Sequence, residues 1–100
     1  MAKTTEWPVR LILVEEDGTT RARVELDTGT QELTGHGRAR CSPGDQDVPV
    51  IGDELAAGRA MKDLAGQLIR LADHDLAGVG AAPPGHERRR TVYGWTSEPA

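Results

Sequence analysis

The residues best placed to do chemistry are arginines set two apart. Arg21 and Arg23 form one such pair, Arg38 and Arg40 another, with His36 two residues before Arg38 and Arg10 standing earlier in the chain. In an extended strand, alternate residues share a face, so each pair presents two cations on the same side. Guanidinium forks match phosphate oxygens and planar carboxylates. The chemistry this pattern predicts is electrostatic gripping of an RNA backbone by Arg10, Arg21, Arg23, His36, Arg38 and Arg40. The plainer alternative is a solvated sheet face whose arginines lie flat, helped by Glu25 and Asp27. No aromatic ladder accompanies the arginines, so shape and phosphate recognition is expected rather than base stacking.

Other chemistries find little support. His36, His74 and His86 have no metal-ligand spacing. Asp73-His74-Asp75 on a helix would project in three directions. Asp45-Gln46-Asp47 lacks the glycine and distal glutamate of a calcium loop, and suits turn formation and capping. Cys41 with His36 lacks an orienting third group and an oxyanion donor. Gly35-His36-Gly37 lacks the third glycine and following helix of a phosphate cradle. The expectation is no enzyme, no metal, no cofactor and no small-molecule substrate.

Composition sets the frame. One hundred residues make one small domain, and 37% hydrophobic residues without any Phe give a modest aliphatic core. The formal net charge of −4 argues against a general DNA-binding or membrane-coating protein, though not against a local basic patch. A single cysteine excludes an intrachain disulfide. No stretch is apolar enough to span a bilayer, and residues 1–5 carry no signal core, so a cytoplasmic protein is expected.

Three alternating runs must carry the arginines. Trp7 to Val14 is rich in strand formers. Thr19 to Asp27 sets Thr20, Ala22, Val24 and Leu26 against Arg21, Arg23, Glu25 and Asp27. Glu32 to Cys41 alternates again, with Leu33, Gly35, Gly37 and Ala39 on the apolar side. Glu15-Glu16-Asp17-Gly18 and Thr28-Gly29-Thr30 read as turns, giving an antiparallel meander with one wet face. Pairing Val14 with Thr19 puts Leu11 opposite Ala22, Val9 opposite Val24, Trp7 opposite Leu26 and Arg10 beside Arg23. Pairing Leu26 with Leu33 puts Val24 opposite Gly35, Ala22 opposite Gly37 and Arg21 opposite Arg38. The two glycines leave a trough in which a helix can settle.

Val48 to Leu76 supplies that helix. A stripe centred on Met61 gathers Leu64, Ala65, Leu68, Ala72 and Leu76 at helical spacing, with Gly58 one turn earlier. Arg59, Lys62, Asp63, Gln67 and Arg70 fall on the other side. Asp47 suits an N-cap, Pro49 the first turn, and Gly78 the stop. Asp53 and Glu54 add negative charge near the start. Gly58 is expected to compensate its cost by close packing, whereas Gly66 faces away. The predicted fold is α+β, a two-layer β-β-β-α unit over residues 1–78 with a flexible tail over 79–100.

A helix of about 28 residues is roughly 42 Å long and outruns eight-residue strands of about 27 Å. Apolar residues at its ends, Ile51 and Leu55 or Leu71 and Leu76, then need cover. A homodimer is the expected solution, with the tail folding back as the alternative. In that tail Arg88-Arg89-Arg90 precedes Thr91-Val92-Tyr93-Gly94-Trp95, which suits gripping nucleic acid or a partner groove, or simply a solubilising end.

Three stretches resemble one family. They are Asp17-Gly18-Thr19-Thr20-Arg21-Ala22, Leu33-Thr34-Gly35-His36-Gly37-Arg38-Ala39, and Val48-Pro49-Val50-Ile51-Gly52-Asp53-Glu54-Leu55-Ala56-Ala57 followed by Leu64-Ala65. They are similar to an actinobacterial family of unknown function, over about Glu6 to Leu76. The resemblance implies a fold like a double-stranded-RNA-binding domain without its first helix. A dormancy-associated, dimeric mycobacterial member resembles ribosome hibernation factors, which implies a stress-linked role at the ribosome. The rival expectation is a protein-interaction module working through the long helix or the tail, without RNA.

Overall fold

A computed structural model describes residues 2–42, 44, 46 and 48–80. Its elements run β1 (Val9–Glu16), β2 (Thr19–Asp27), β3 (Glu32–Arg40) and α1 (Pro49–Gly80), and the sheet is antiparallel in the order β1-β2-β3. This is the expected α+β meander with one long helix. The chain divides into two units, Met1–Gln67 and Leu68–Ala100, of which the described part of the second is the remaining helix to Gly80. The tail beyond, with Arg88, Arg89 and Arg90, lies outside the described residues, as does Asp47.

The β2–β3 register is the one the alternation predicts: Leu26 pairs with Leu33, Val24 with Gly35, Ala22 with Gly37 and Arg21 with Arg38. The β1–β2 register differs by two residues. Leu13 rather than Leu11 lies opposite Ala22, Leu11 opposite Val24, and Val9 rather than Trp7 opposite Leu26. The cause is the turn. Asp17 and Gly18 both hold positive φ, 51° and 73°, so two residues suffice to reverse the chain. Such a turn follows the right-handed twist of the strands, and Glu15 and Glu16 are drawn into β1 instead of the turn. A slip of two keeps every side chain on its face, so the two-sidedness of the sheet survives. At the second reversal Gly29 has φ 90° and its N–H donates to Asp27 Oδ1 at 2.8 Å. The Thr28 N–H closes the turn on the Gln31 carbonyl at 2.9 Å.

The core lies between β2, β3 and the helix. Thr20, Ala22, Val24 and Leu26 are buried from β2, Ala39 from β3, and Ala56, Ala60 and Leu64 from α1. The helix therefore turns the row Gly52-Ala56-Ala60-Leu64 to the sheet. The stripe centred on Met61 is not the contact face: Met61 is 49% exposed and Ala65 is exposed too. The glycine trough decides this. A Cβ on Gly35 would stand 2.8 Å from the Leu64 nitrogen, and one on Gly37 would strike the Ala56 carbonyl and the Ala60 nitrogen. Backbones that close admit small side chains between them, so the alanine row wins over the bulkier one.

Gly58 has no neighbour within 4 Å of a would-be Cβ, so no close packing offsets its cost. Gly66, expected to face outward, is half-buried. Replacing Gly58 with Ala is expected to raise stability by about 1 kcal/mol, because an interior glycine costs roughly that much; urea unfolding measures it. Gly78 likewise does not stop the helix, which continues to Gly80. A single glycine weakens a helix without ending it. At the other end the Ile51 and Gly52 N–H groups donate to the Val48 carbonyl, and the first turn holds no acidic residue; Asp53 and Glu54 come a turn later.

Three polar helix residues do work that the wheel does not reveal. Arg59, Asp63 and Gln67 stand four apart along the outer edge of β3. Arg59 Nη1 donates to the Arg38 carbonyl at 2.8 Å, Asp63 Oδ2 accepts from the His36 N–H at 2.8 Å, and Gln67 Nε2 donates to the Thr34 carbonyl at 2.7 Å. They satisfy backbone groups that an edge strand leaves open for unwanted pairing. Gln67 Nε2 also reaches Asp63 Oδ2 at 3.3 Å. Asp63→Ala is expected to cost about 2 kcal/mol, the range for a hydrogen bond to a charged acceptor. Urea unfolding tests this, and the His36 amide should lose protection from hydrogen exchange.

Candidate nucleic-acid interface

The face of the sheet away from the helix is built in rungs, each with one residue from each strand. From one end these are Arg10, Glu25 and Thr34; then Ile12, Arg23 and His36; then Val14, Arg21 and Arg38; then Glu16, Thr19 and Arg40. Arg10, Arg21, Arg23, His36, Arg38 and Arg40 are all exposed. The alternation therefore does bring the predicted cations to one surface.

The β1 register redistributes them. Arg10 stands beside Glu25, not beside Arg23. Glu25 also takes an ion pair from Arg23, Nε to Oε2 at 3.1 Å, with both side chains 40–49% exposed. A pair that open to water contributes little stability, but it dilutes the positive field there. With Asp27 and Glu32 on the next rung, that end of the face is acidic. The basic charge concentrates toward the Asp17-Gly18 turn, on Arg21, Arg38, Arg40 and Arg23, with His36 among them. Among the described residues, Arg23 alone of these five is held in an ion pair.

Pairing geometry tightens the strip. The outward-turned backbone groups of Thr34, His36 and Arg38 show that β3 hydrogen-bonds to β2 through its odd-numbered residues. Arg21–Arg38 and Arg23–His36 are thus non-hydrogen-bonded pairs, in which strands bring side chains closest. Arg21 and Arg38 so placed repel mildly, and a shared anion would relieve them. Beside the strip lie two apolar residues of β1, Ile12 half-buried and Val14 52% exposed. Pairing Val14 with Thr19 would have set Ile12 beside Arg21; the observed register sets Ile12 beside Arg23 and Val14 beside Arg21.

The other candidates separate. Ile51 and Leu55, 51% and 47% exposed, border a recess with Gly18, Thr20, Cys41 and Val48 on the β3 side of the helix. Leu71 and Leu76 are half-buried and belong to the second unit. Cys41 Sγ lies 3.7 Å from the Ser42 and Gln46 carbonyls, while His36 faces the opposite side of the sheet. Among the described residues no cluster of three His, Cys, Asp or Glu is placed to hold a metal ion, and no helix is long and apolar enough to cross a membrane.

A β-β-β-α unit with a helix seated in a glycine trough and arginines on the far face defines a small α+β protein class with a candidate anion-binding sheet. The chain belongs to the Rv2632c-like family, whose model matches residues 5–84. It is 40% identical over 87 residues to the uncharacterized protein MT1780 of Mycobacterium tuberculosis, covering 87% of both chains. It is 41% identical over 68 residues to the uncharacterized protein Rv2632c of the same species, covering 68% of this chain and 73% of that one. The crystal structure of Rv2632c superposes with a TM-score of 0.75 at 35% identity, over 82% of this chain and 98% of that one.

Proposed function

We propose that the protein binds structured RNA, at the ribosome under stress, without catalysing a reaction. The contact surface is the strip of Arg21, Arg23, His36, Arg38 and Arg40. One observation carries the reading: Arg21 and Arg38 stand directly opposite each other on an exposed face of a chain whose net charge is −4. Clustering cations against repulsion in an acidic protein has a use when a polyanion fills the space between them. The strip lacks aromatic residues, so it reads backbone and shape. The β-β-β-α order supports the reading, while the likeness to a double-stranded-RNA-binding domain and the stress-linked setting both come from the family resemblance.

The test is binding to purified ribosomes and to a structured RNA as salt is raised, with wild type and Arg21→Glu/Arg38→Glu. Steep salt dependence in the wild type, with both affinity and slope reduced in the variant, is expected. Unchanged affinity ends the reading. The exposed Ile51 and Leu55 favour a second one, in which the protein docks a protein partner through the helix; binding that survives nuclease and is lost in Leu55→Asp supports it.

A further inference from the structure

The arginine strip has a shape as well as a charge. It is two strands wide and three rungs long: Arg23 with His36, Arg21 with Arg38, and Thr19 with Arg40. Both ends are closed by acid. Glu25 and then Asp27 with Glu32 follow the first rung, and Glu16 stands beside Thr19 on the last, where the chain turns at Asp17. The two sides differ. Toward β1 the first two rungs run into Ile12, half-buried, and Val14, 52% exposed. Outside β3, Arg59 is turned to the Arg38 carbonyl and the Asp63 carboxylate to the His36 N–H, so opposite charges offset each other there.

We infer that the strip grips one unpaired strand of RNA laid along β2 and β3, with its phosphates over the arginines and its riboses and bases over Ile12 and Val14. This deepens the RNA contact proposed above, on which it rests: the part held is a loop or junction rather than a paired stem. The repeats keep step. Rungs lie two residues apart, about 7 Å, and two residues of extended chain contain the same number of backbone bonds as one nucleotide of a strand. Three rungs span about 14 Å, enough for about three to four consecutive phosphates.

The width points the same way. β2 and β3 lie about 5 Å apart, which suits a single phosphodiester line. A duplex sets its second line across a groove, and the accessible groove of RNA is wide and shallow. That second line would fall on Ile12 and Val14, or beyond β3 on the Arg59 and Asp63 pair, where no net positive charge meets it. An unpaired strand avoids the conflict. Its bases are free to show their faces, and Ile12 and Val14 give those faces an apolar floor. The contact has no aromatic ring to stack on, so it tolerates any base. It also gives a use to two apolar side chains on the side of the sheet away from the helix.

Competition against a labelled structured RNA tests this with the full chain. The competitors are unstructured oligouridylates of increasing length, and the longest of them paired with oligoadenylate. Competition is expected to strengthen steeply up to about five nucleotides, the length that carries about four phosphates, and then to level off. The duplex is expected to compete about tenfold more weakly than its own free strand. Ile12→Ala/Val14→Ala is expected to weaken the single strand about fivefold and leave the slope of log K against log salt unchanged, because the lost contact is apolar. A misfolded variant would flatten that slope as well, and the wild-type length series does not depend on the variant. A duplex that competes as well as the single strand overturns the inference. So does affinity that climbs as steeply past that length, or a double variant as tight as wild type. Oligouridylate that fails to compete while the structured RNA binds also overturns it, and leaves the RNA reading standing. Failure of the structured RNA itself to bind removes both.

Discussion

Gly37→Ala is expected to cost at least about 3 kcal/mol and to leave little folded protein at 37 °C. Overpacking a core typically costs about 1–3 kcal/mol when side chains can give way. Here they cannot. The added methyl would strike the Ala56 carbonyl and the Ala60 nitrogen, with the Arg59 carbonyl carbon 2.9 Å away. All three are helix backbone, so the whole helix must lift. Lifting it also stretches the bonds from Arg59, Asp63 and Gln67 to β3, which adds to the loss. Gly35→Ala meets Leu64 in the same way, at 2.8 Å from its nitrogen and 2.9 Å from its Cβ, and is expected to behave alike. Equilibrium urea unfolding measures both, with Gly58→Ala as the opposite control. A Gly37→Ala protein as stable as the wild type would mean that the helix does not sit in the trough.

The second large effect is on binding. Reversing Arg21 and Arg38 together is expected to lower affinity for structured RNA about 100-fold near 0.1 M salt, and to flatten the slope of log K against log salt by about 2. Each arginine that neutralises one phosphate releases close to one counterion, so losing two removes that much salt dependence. The fold should persist, since both side chains are exposed and on the face away from the core. Arg10→Glu should change the slope less than either reversal, because Arg10 already stands beside Glu25. Equal slopes for Arg10→Glu and Arg21→Glu would argue against a strip confined to β2 and β3.

Much of this was legible in residue order. Period-two alternation with Thr28-Gly29-Thr30 between β2 and β3 determined which residues of those strands face the helix and which face water, and the pairing of Leu26 with Leu33 followed. Alternation is robust because a residue on the wrong face exposes a whole row at once. That robustness is to single slips only. A slip of two costs no change of face, so the pattern could not distinguish Arg10 beside Arg23 from Arg10 beside Glu25. The positive φ of Asp17 and Gly18 settled it through the length of the turn.

The helix shows the other boundary. Its existence followed from spacing over many turns, but its rotation did not. A wheel weighs residues by hydrophobicity, which favours Met61 and its neighbours, whereas the sheet selects by size. The sequence by itself determined three strands, one helix, two faces and the arginines on one of them. Only the tertiary structure decided how close the backbones come at Gly35 and Gly37, and hence that Ala56 and Ala60 face inward while Arg59, Asp63 and Gln67 guard an edge. Periodicity is a property of one segment, but distance of approach belongs to two segments at once.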